Sequence, residues 1–518
     1  MSRLGIGAIV VALAGVGGTA TGLPAAAAGN GAQRPGQDLL PTSVLSVRRV
    51  PDWLAGTASA QRLGAALQRV VGQALTSGGL PSGCLLVTQG NATIFASYAD
   101  KMFIPASNLK ILTATAVLDR LGGSDKFVTS VRSASPPSGG IVFGNLYLVG
   151  GGDPDLRTSS YGGGTAGGGT VFTSLDKLAE QVRQSGVTEV TGSIVGDAGR
   201  YDSQRIVPSW KPIYTTEGDV GPLSALEVND GFVPNTTTTT TTTVPPPPPP
   251  GGAPDAPKPP TPRPPPATRP GETSNSAALA FAAATDPVGQ AAQAFETLLR
   301  NDGVRVDGGA RSGFTPGTTA VVTAIDSAPL TDELDAMLSV SDDTAAELFT
   351  KELGYQQSQQ GTTKAGVAAI RADLQADGLP VDQLVQVDGS GLDRSDRASC
   401  DLIVDALERA GPTGVIAKGL PIAGKTGTLV GRMTGTPAQG RLIAKTGSLD
   451  NVVSLSGFVL PPSGTPPTPA LGEPLVFSLI LNGLPDTIAE DVSDKVGIAL
   501  AGYPNLPPMK LLEPQPGG

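Results

Sequence analysis

A serine three residues ahead of a lysine sets a nucleophile beside a candidate base. The chain holds two such tetrads, Ser107-Asn108-Leu109-Lys110 and Ser174-Leu175-Asp176-Lys177. In a helix that spacing brings both side chains onto one face. The pairing matters because the 518 residues include no histidine. Ser-His-Asp and Cys-His machinery are thereby excluded, along with His-ligated metal sites. Two cysteines, Cys84 and Cys400, cannot build a Cys-only structural zinc site. Any enzymatic base must be a carboxylate, a lysine, a tyrosine or an N-terminal amine. A serine activated by lysine is then the natural nucleophile.

Context separates the two tetrads. Ser107 follows Pro105-Ala106 and opens SNLKILTATAVLDRLGG, a stretch apolar on most faces and stopped by Gly122 and Gly123. It reads as a buried helix. A lysine held there is desolvated, which lowers its pKa and frees it to act as a base. The helix N-terminus also favours an oxyanion on Ser107. Ser174 instead reads as the N-cap of an ordinary amphipathic helix, SLDKLAEQV.

A Ser/Lys catalyst also needs a polar group for a leaving amine and a cation for an anionic substrate. Ser341-Asp342-Asp343 lies between two helical runs, TDELDAMLSV and DDTAAELFTKELG, where a hydroxyl can protrude. Two Lys-Thr-Gly triplets are candidates for the cation. Lys445-Thr446-Gly447 closes the strand-like RLIAKTG, whereas Lys425-Thr426-Gly427 sits in AGKTGTLVG and reads as a turn. The plainer readings are Ser341 as an N-cap and Lys445 as a solvated strand end.

The elements that must position these residues are a mixture. CLLVTQG, IFASYAD, GNLYLVGGG and GSIVGDAG read as strands punctuated by glycine. RLIAKTG, VVSLSGFVL and LVFSLILNG read as consecutive antiparallel strands. The expected class is α+β, layered around a mainly antiparallel sheet. Thr236 to Thr243 are all threonine, Pro245 to Pro250 are all proline, and Pro-rich text runs on to Pro270. Such a segment, bounded here as 235–276, cannot bury enough apolar surface to fold and reads as a disordered excursion from a surface loop.

The stretch 162–170, GGGTAGGGT, lacks a following Lys-Ser/Thr and reads as a flexible loop. Asp153 and Asp155 flank Pro154 in a turn and need no ligand. No metal and no cofactor is expected. With 36 basic against 46 acidic residues and no basic run, neither nucleic acid nor anionic lipid is an expected partner.

Residues 1–28 carry Arg3, an apolar run from Leu4 to Val16 and small residues from Ala25 to Ala28. This layout reads as a secretory signal peptide or a retained signal-anchor, so the protein is expected outside the cytoplasmic membrane. Export permits a disulfide between Cys84 and Cys400. The sequence gives no distance between them, and two small buried hydrophobes are the plainer expectation.

SNLK, SDD and KTG in that order resemble the motif set of penicillin-binding proteins and serine β-lactamases. GNLYLVGGGDP, GSIVGDAGRYD, GPLSALEVNDG, DGSGLDR and AKTGSLDNVVSLSGF sharpen the likeness. Together they resemble the low-molecular-mass class C penicillin-binding proteins, a D-alanyl-D-alanine carboxypeptidase/endopeptidase family, over roughly residues 45–505. The resemblance implies a transpeptidase/β-lactamase-like domain, an antiparallel sheet with helices, in two pieces, 45–125 and 325–505. A mainly β insertion of one or two domains, 126–324, would separate them.

It further implies Ser107 as acylated nucleophile and Lys110 as its base, with Ser341 protonating the leaving D-alanine. Lys445 and Thr446 would hold the substrate carboxylate. Gly447 belongs to the same motif, and the N–H groups of Ser107 and Ser448 would form the oxyanion hole. The implied partners are peptidoglycan stem peptides as substrate and β-lactams as covalent inhibitors. Asp343 departs from the family's Asn, and a carboxylate there cannot donate to a substrate carbonyl when ionised. A catalytically weakened wall-binding protein is therefore the alternative, ahead of a β-lactamase.

Overall fold

The computed structural model describes residues 51–161, 171–234, 281–463 and 472–504. The segment 1–28, the glycine-rich stretch 162–170 and the Thr/Pro tract lie outside the described residues. Helix α1 (Pro51–Val71) leads into strands β1 (Gly83–Gln89) and β2 (Ala92–Ser97). A 3-10 turn, Ala106–Asn108, then opens α2 (Leu109–Leu121). Next come β3 (Val128–Ser133), β4 (Leu146–Val149), α3 (Leu175–Gln184), β5 (Ile194–Asp197), α4 (Pro287–Asn301), β6 (Ala310–Ser312) and β7 (Ala320–Asp326). Helices α5 (Leu330–Val340), α6 (Asp343–Ser358), α7 (Thr363–Ala376) and α8 (Cys400–Ala410) follow. Strands β8 (Leu442–Leu449), β9 (Val452–Val459) and β10 (Leu475–Asn482) and helix α9 (Asp486–Ala501) complete the described chain.

The first and last pieces share one antiparallel sheet of order β8-β9-β10-β1-β2. Its central strands are buried along nearly their whole length, so they read as continuous apolar runs. The period of two divides their side chains between two cores. Cys84, Leu86, Val476 and Ile480 pack with residues of α2, α5, α6 and α8. Leu85, Val87, Phe477 and Leu479 pack instead against Leu67 of α1 and Val496 of α9.

Residues 128–326 build their own sheet, of order β6-β5-β4-β3-β7, around a separate apolar core. This sheet mixes strand directions. β4, β5 and β6 pair in parallel, while only β3 with β4 and β3 with β7 are antiparallel. The cause is connectivity, since parallel neighbours require a crossover. Helix α3 lies in the chain between β4 and β5, and α4 between β5 and β6; both bury an apolar face. Ser174 caps α3 by accepting the Lys177 N–H at 3.1 Å, as its sequence context predicts.

Cys84 and Cys400 are bonded to each other, with Cα atoms 6.1 Å apart. The pairing, which the sequence leaves open, is thereby settled. β1 and the first turn of α8 meet through packing, which 316 positions of sequence separation conceal.

Candidate active site

The turn that carries Ser107 is fastened from both flanks. Ser454 on β9 donates to the Pro105 carbonyl at 2.7 Å. Asn108 donates to Ser456 at 2.6 Å, and Ser456 in turn donates to Ser478 on β10 at 2.9 Å. Small hydroxyl residues inside otherwise apolar strands thus hold the nucleophile's backbone in place. Ser107 sits in the 3-10 turn, and the α-helix proper begins two residues later. Ala106 adopts a φ of 48° where the chain bends into this turn. Gly391 backs onto it with a φ of 87°, and a Cβ there would lie 2.1 Å from the Ala106 carbonyl oxygen. Glycine alone fits that approach.

Lys110 is fully buried one turn after Ser107. Its Nζ lies 3.0 Å from Ser107 Oγ, 2.5 Å from Asp343 Oδ1 and 2.8 Å from the Ser390 carbonyl oxygen. Asp343 is the first residue of α6, and Asp342 caps that helix by accepting the Ala345 N–H at 2.8 Å. Ser341 links α5 to α6 in a left-handed conformation, φ 67°. Burial pushes the Asp343 carboxyl above the usual carboxylate range, although Lys110 and Lys445 both pull it down.

β8 is the edge strand of its sheet and forms the opposite wall. The Ala444 N–H donates outward to Pro421 and the Leu442 carbonyl accepts from Ala423, so even-numbered residues turn their backbone groups away from β9. Thr446 and Ser448 therefore point N–H and C=O along the same outer edge. Lys445 is fully buried on the other face, its Nζ donating to the Thr446 carbonyl at 3.0 Å. Burial pushes its ammonium well below the ordinary lysine range. The like charge of Lys110 adds to that, and Asp343 offsets part of it. A Cβ on Gly447 would lie 2.9 Å from the Ser107 nitrogen and 2.3 Å from Ser454 Oγ. The missing side chain is what lets strand and nucleophile turn close up.

Ser107, Lys110 and Asp343 thus form one hydrogen-bonded group, with Lys445 in electrostatic contact and Gly447 against the Ser107 amide. Among the described residues no hydrogen bond joins the Ser341 hydroxyl to them. Sequence reasoning missed three contributors. The Ser390 carbonyl lies in DGSGLDR, where nothing in the side-chain pattern marks a main-chain acceptor. Thr428 pairs with Thr446 at 2.7 Å, bringing the neighbourhood of the first Lys-Thr-Gly triplet against the second. Trp210, from the insertion, donates to Asp388 at 2.8 Å and braces the loop that carries Ser390.

Behind Asp342 lies a buried set of carboxylates. Arg157 donates to Asp155 at 2.6 Å and reaches Asp230 at 3.5 Å, while Tyr161 donates to Asp230 at 3.1 Å. One guanidinium cannot balance Asp153, Asp155, Asp230, Glu333 and Asp342 together. Burial pushes Asp153 and Asp342 each up to about 7, and Glu333 up to about 11 with Asp153 adding its charge. The folded protein therefore retains protons that the unfolded chain releases above roughly pH 4. Stability then falls as pH rises from there through about 7. The melting temperature is expected to be about 3–6 °C higher at pH 5 than at pH 8, read by calorimetry. An equal or higher value at pH 8 contradicts the assignment.

A family model described as "D-Ala-D-Ala carboxypeptidase 3 (S13) family" matches residues 77–252 and 271–502. The chain is 30% identical over 465 residues to the D-alanyl-D-alanine carboxypeptidase of Actinomadura sp. (strain R39), covering 82% of each. It is 28% identical over 415 residues to carboxypeptidase DacB of Mycolicibacterium smegmatis, covering 78% of this chain and 76% of that one. Among solved structures it is similar to penicillin binding protein 4 (dacB) from Haemophilus influenzae. That match has a TM-score of 0.63 at 19% identity, over 84% of this chain and 98% of the other, and it carries the fold.

Proposed function

This chain belongs to the D-Ala-D-Ala carboxypeptidase 3 (S13) family, and from that premise we propose a serine DD-peptidase acting through an acyl-enzyme on Ser107. The observation that carries the reading is a fully buried lysine amine 3.0 Å from a serine hydroxyl, in a chain without histidine. Neutral Lys110 takes the Ser107 proton as Oγ bonds to the carbonyl carbon of the penultimate D-alanine. The N–H groups of Ser107 and Ser448 hold the developing oxyanion. The C–N bond then breaks, and the leaving D-alanine amine receives a proton through Ser341. Water hydrolyses the ester and restores Ser107. Lys445 and Thr446 bind the terminal carboxylate, whose charge draws Lys445 back to its ammonium form.

The substrate is the peptidoglycan stem peptide, as a terminal D-Ala-D-Ala or a cross-link, and β-lactams acylate the same serine. We place the protein outside the cytoplasmic membrane, with residues 1–28 as signal peptide or anchor. The Cys84–Cys400 disulfide supports that location. The test is incubation of the full chain with a fluorescent penicillin, peptide mapping of the label, and assay of D-alanine release from an acyl-D-Ala-D-Ala peptide. Label on the peptide containing Ser107, together with D-alanine release, is the expected result. Label elsewhere, or folded protein with neither label nor release, overturns the reading.

One observation favours a weakened enzyme as the second reading: the Asp343 carboxylate grips the Lys110 amine at 2.5 Å, a hydrogen bond that an amide would make weaker. Asp343→Asn is expected to raise the acylation rate constant by about tenfold, roughly 1.4 kcal/mol of barrier. An unchanged rate removes the second reading.

A further inference from the structure

A protonated lysine has three N–H donors, and around Lys110 the three acceptors are Ser107 Oγ, Asp343 Oδ1 and the Ser390 carbonyl. The neutral amine that does chemistry has only two N–H bonds and one lone pair. With the two N–H groups given to Asp343 and Ser390, the lone pair faces Ser107. Residues 343 and 390 therefore aim the base, and either lapse turns the lone pair elsewhere.

Asp343 is anchored by the start of α6. The Ser390 carbonyl belongs to a loop: its own peptide plane is held through the Gly391 N–H, which donates to Asp388 Oδ1 at 2.8 Å, and the two peptides leading into it must be held as well. The Gly389 and Ser390 N–H groups both donate to a single oxygen, Glu347 Oε1, at 2.8 and 2.7 Å. Glu347 is fully buried, four residues after Asp343 on α6, so both side chains project from one helix face. Thr113 of α2 donates to the Gly389 carbonyl at 2.7 Å, closing the loop onto the helix that carries Lys110.

We propose that Glu347 is a positioning residue of the catalytic base: by holding the Gly389 and Ser390 N–H groups it fixes the chain leading into the Ser390 carbonyl, so that this carbonyl meets Lys110 and the Lys110 lone pair turns toward Ser107. This rests on the DD-peptidase reading above. The role asks only for one oxygen that accepts two N–H bonds. Burial, with the charge of Asp388 beside it, pushes the Glu347 carboxyl up to about 8. The protonated acid still offers that oxygen, and so does an amide.

Three variants test the role: Glu347→Gln, which keeps the acceptor; Glu347→Asp, which withdraws it by one methylene; and Glu347→Ala, which removes it. Each is compared with the parent by the saturating acylation rate with fluorescent penicillin, by kcat and KM for D-alanine release, and by melting temperature. Glu347→Gln is expected within about threefold of the parent. Glu347→Asp and Glu347→Ala are expected to fall about thirtyfold in acylation and kcat, with KM changed less than about threefold. If Glu347→Ala does not fold, the Gln and Asp pair decides. Glu347→Asp as fast as the parent, or Glu347→Gln as slow as Glu347→Asp, overturns the proposal. A parent that is itself never labelled marks failure of the DD-peptidase reading instead.

Discussion

Replacing Lys110 by methionine is expected to slow acylation by fluorescent penicillin about a thousandfold or more while the protein remains folded. The rate argument is that among the described residues Ser107 Oγ has no other amine at hydrogen-bond distance, and loss of a positioned base costs about 10²–10⁴-fold. The folding argument is that methionine matches the length of the buried stem. Removing one partner of a buried ion pair leaves an uncompensated charge, which can cost about 3–5 kcal/mol. Here burial already pushes Asp343 upward, and without Lys110 it takes a proton rather than remain charged. The double variant Lys110→Met with Asp343→Asn removes even that proton requirement and should melt no lower than the single variant. Acylation of Lys110→Met within tenfold of the parent eliminates Lys110 as the base.

Loss of the Cys84–Cys400 bond is the second large effect, and it falls on stability. The bond closes a loop spanning 316 positions. Constraining so long a loop in the unfolded chain contributes on the order of 5 kcal/mol in the chain-entropy account. Both cysteines are fully buried, so alanine is the appropriate replacement. The double variant Cys84→Ala with Cys400→Ala is expected to melt about 5 °C lower. Its acylation rate at 25 °C should match the parent, because neither cysteine touches the site. An unchanged melting temperature, with the parent's disulfide verified by mass, contradicts the assignment.

Much of the site was legible because its chemistry rests on side chains at fixed spacing. The absence of histidine narrowed the base, and the apolar surroundings of Lys110 distinguished one Ser-x-x-Lys tetrad from the other. Strands such as LVFSLILN were legible from their uninterrupted apolar runs. What stayed hidden was whatever depends on the main chain or on distant packing. Ser390 contributes a carbonyl, which every residue owns, so no residue type announces it. Glu347 reads as one more acid on an amphipathic helix until the loop it grips is seen. In the insertion β4 and β5 read as strands, but their parallel pairing did not, because it depends on the crossovers that join them. The cysteine pair was undecidable for the same reason: sequence separation carries no distance.

Strand β10 lies between β9 and β1, pairing Leu479 with Leu455 on one side and Ser478 with Leu86 on the other. The middle strand of the catalytic sheet is therefore synthesised after the other four, while β1 beside it is synthesised before them. Until β10 arrives, β1 and β2 are a hairpin with one unpaired apolar edge, and the sheet cannot close. Contacts of such long range make folding slow and leave sticky intermediates exposed. The insertion, whose strands pair over much shorter range, can complete its own core meanwhile. A chain ended before residue 475 would thus keep the serine and lysine of the nucleophile turn, yet lack the strand that joins the two halves of the sheet beneath them.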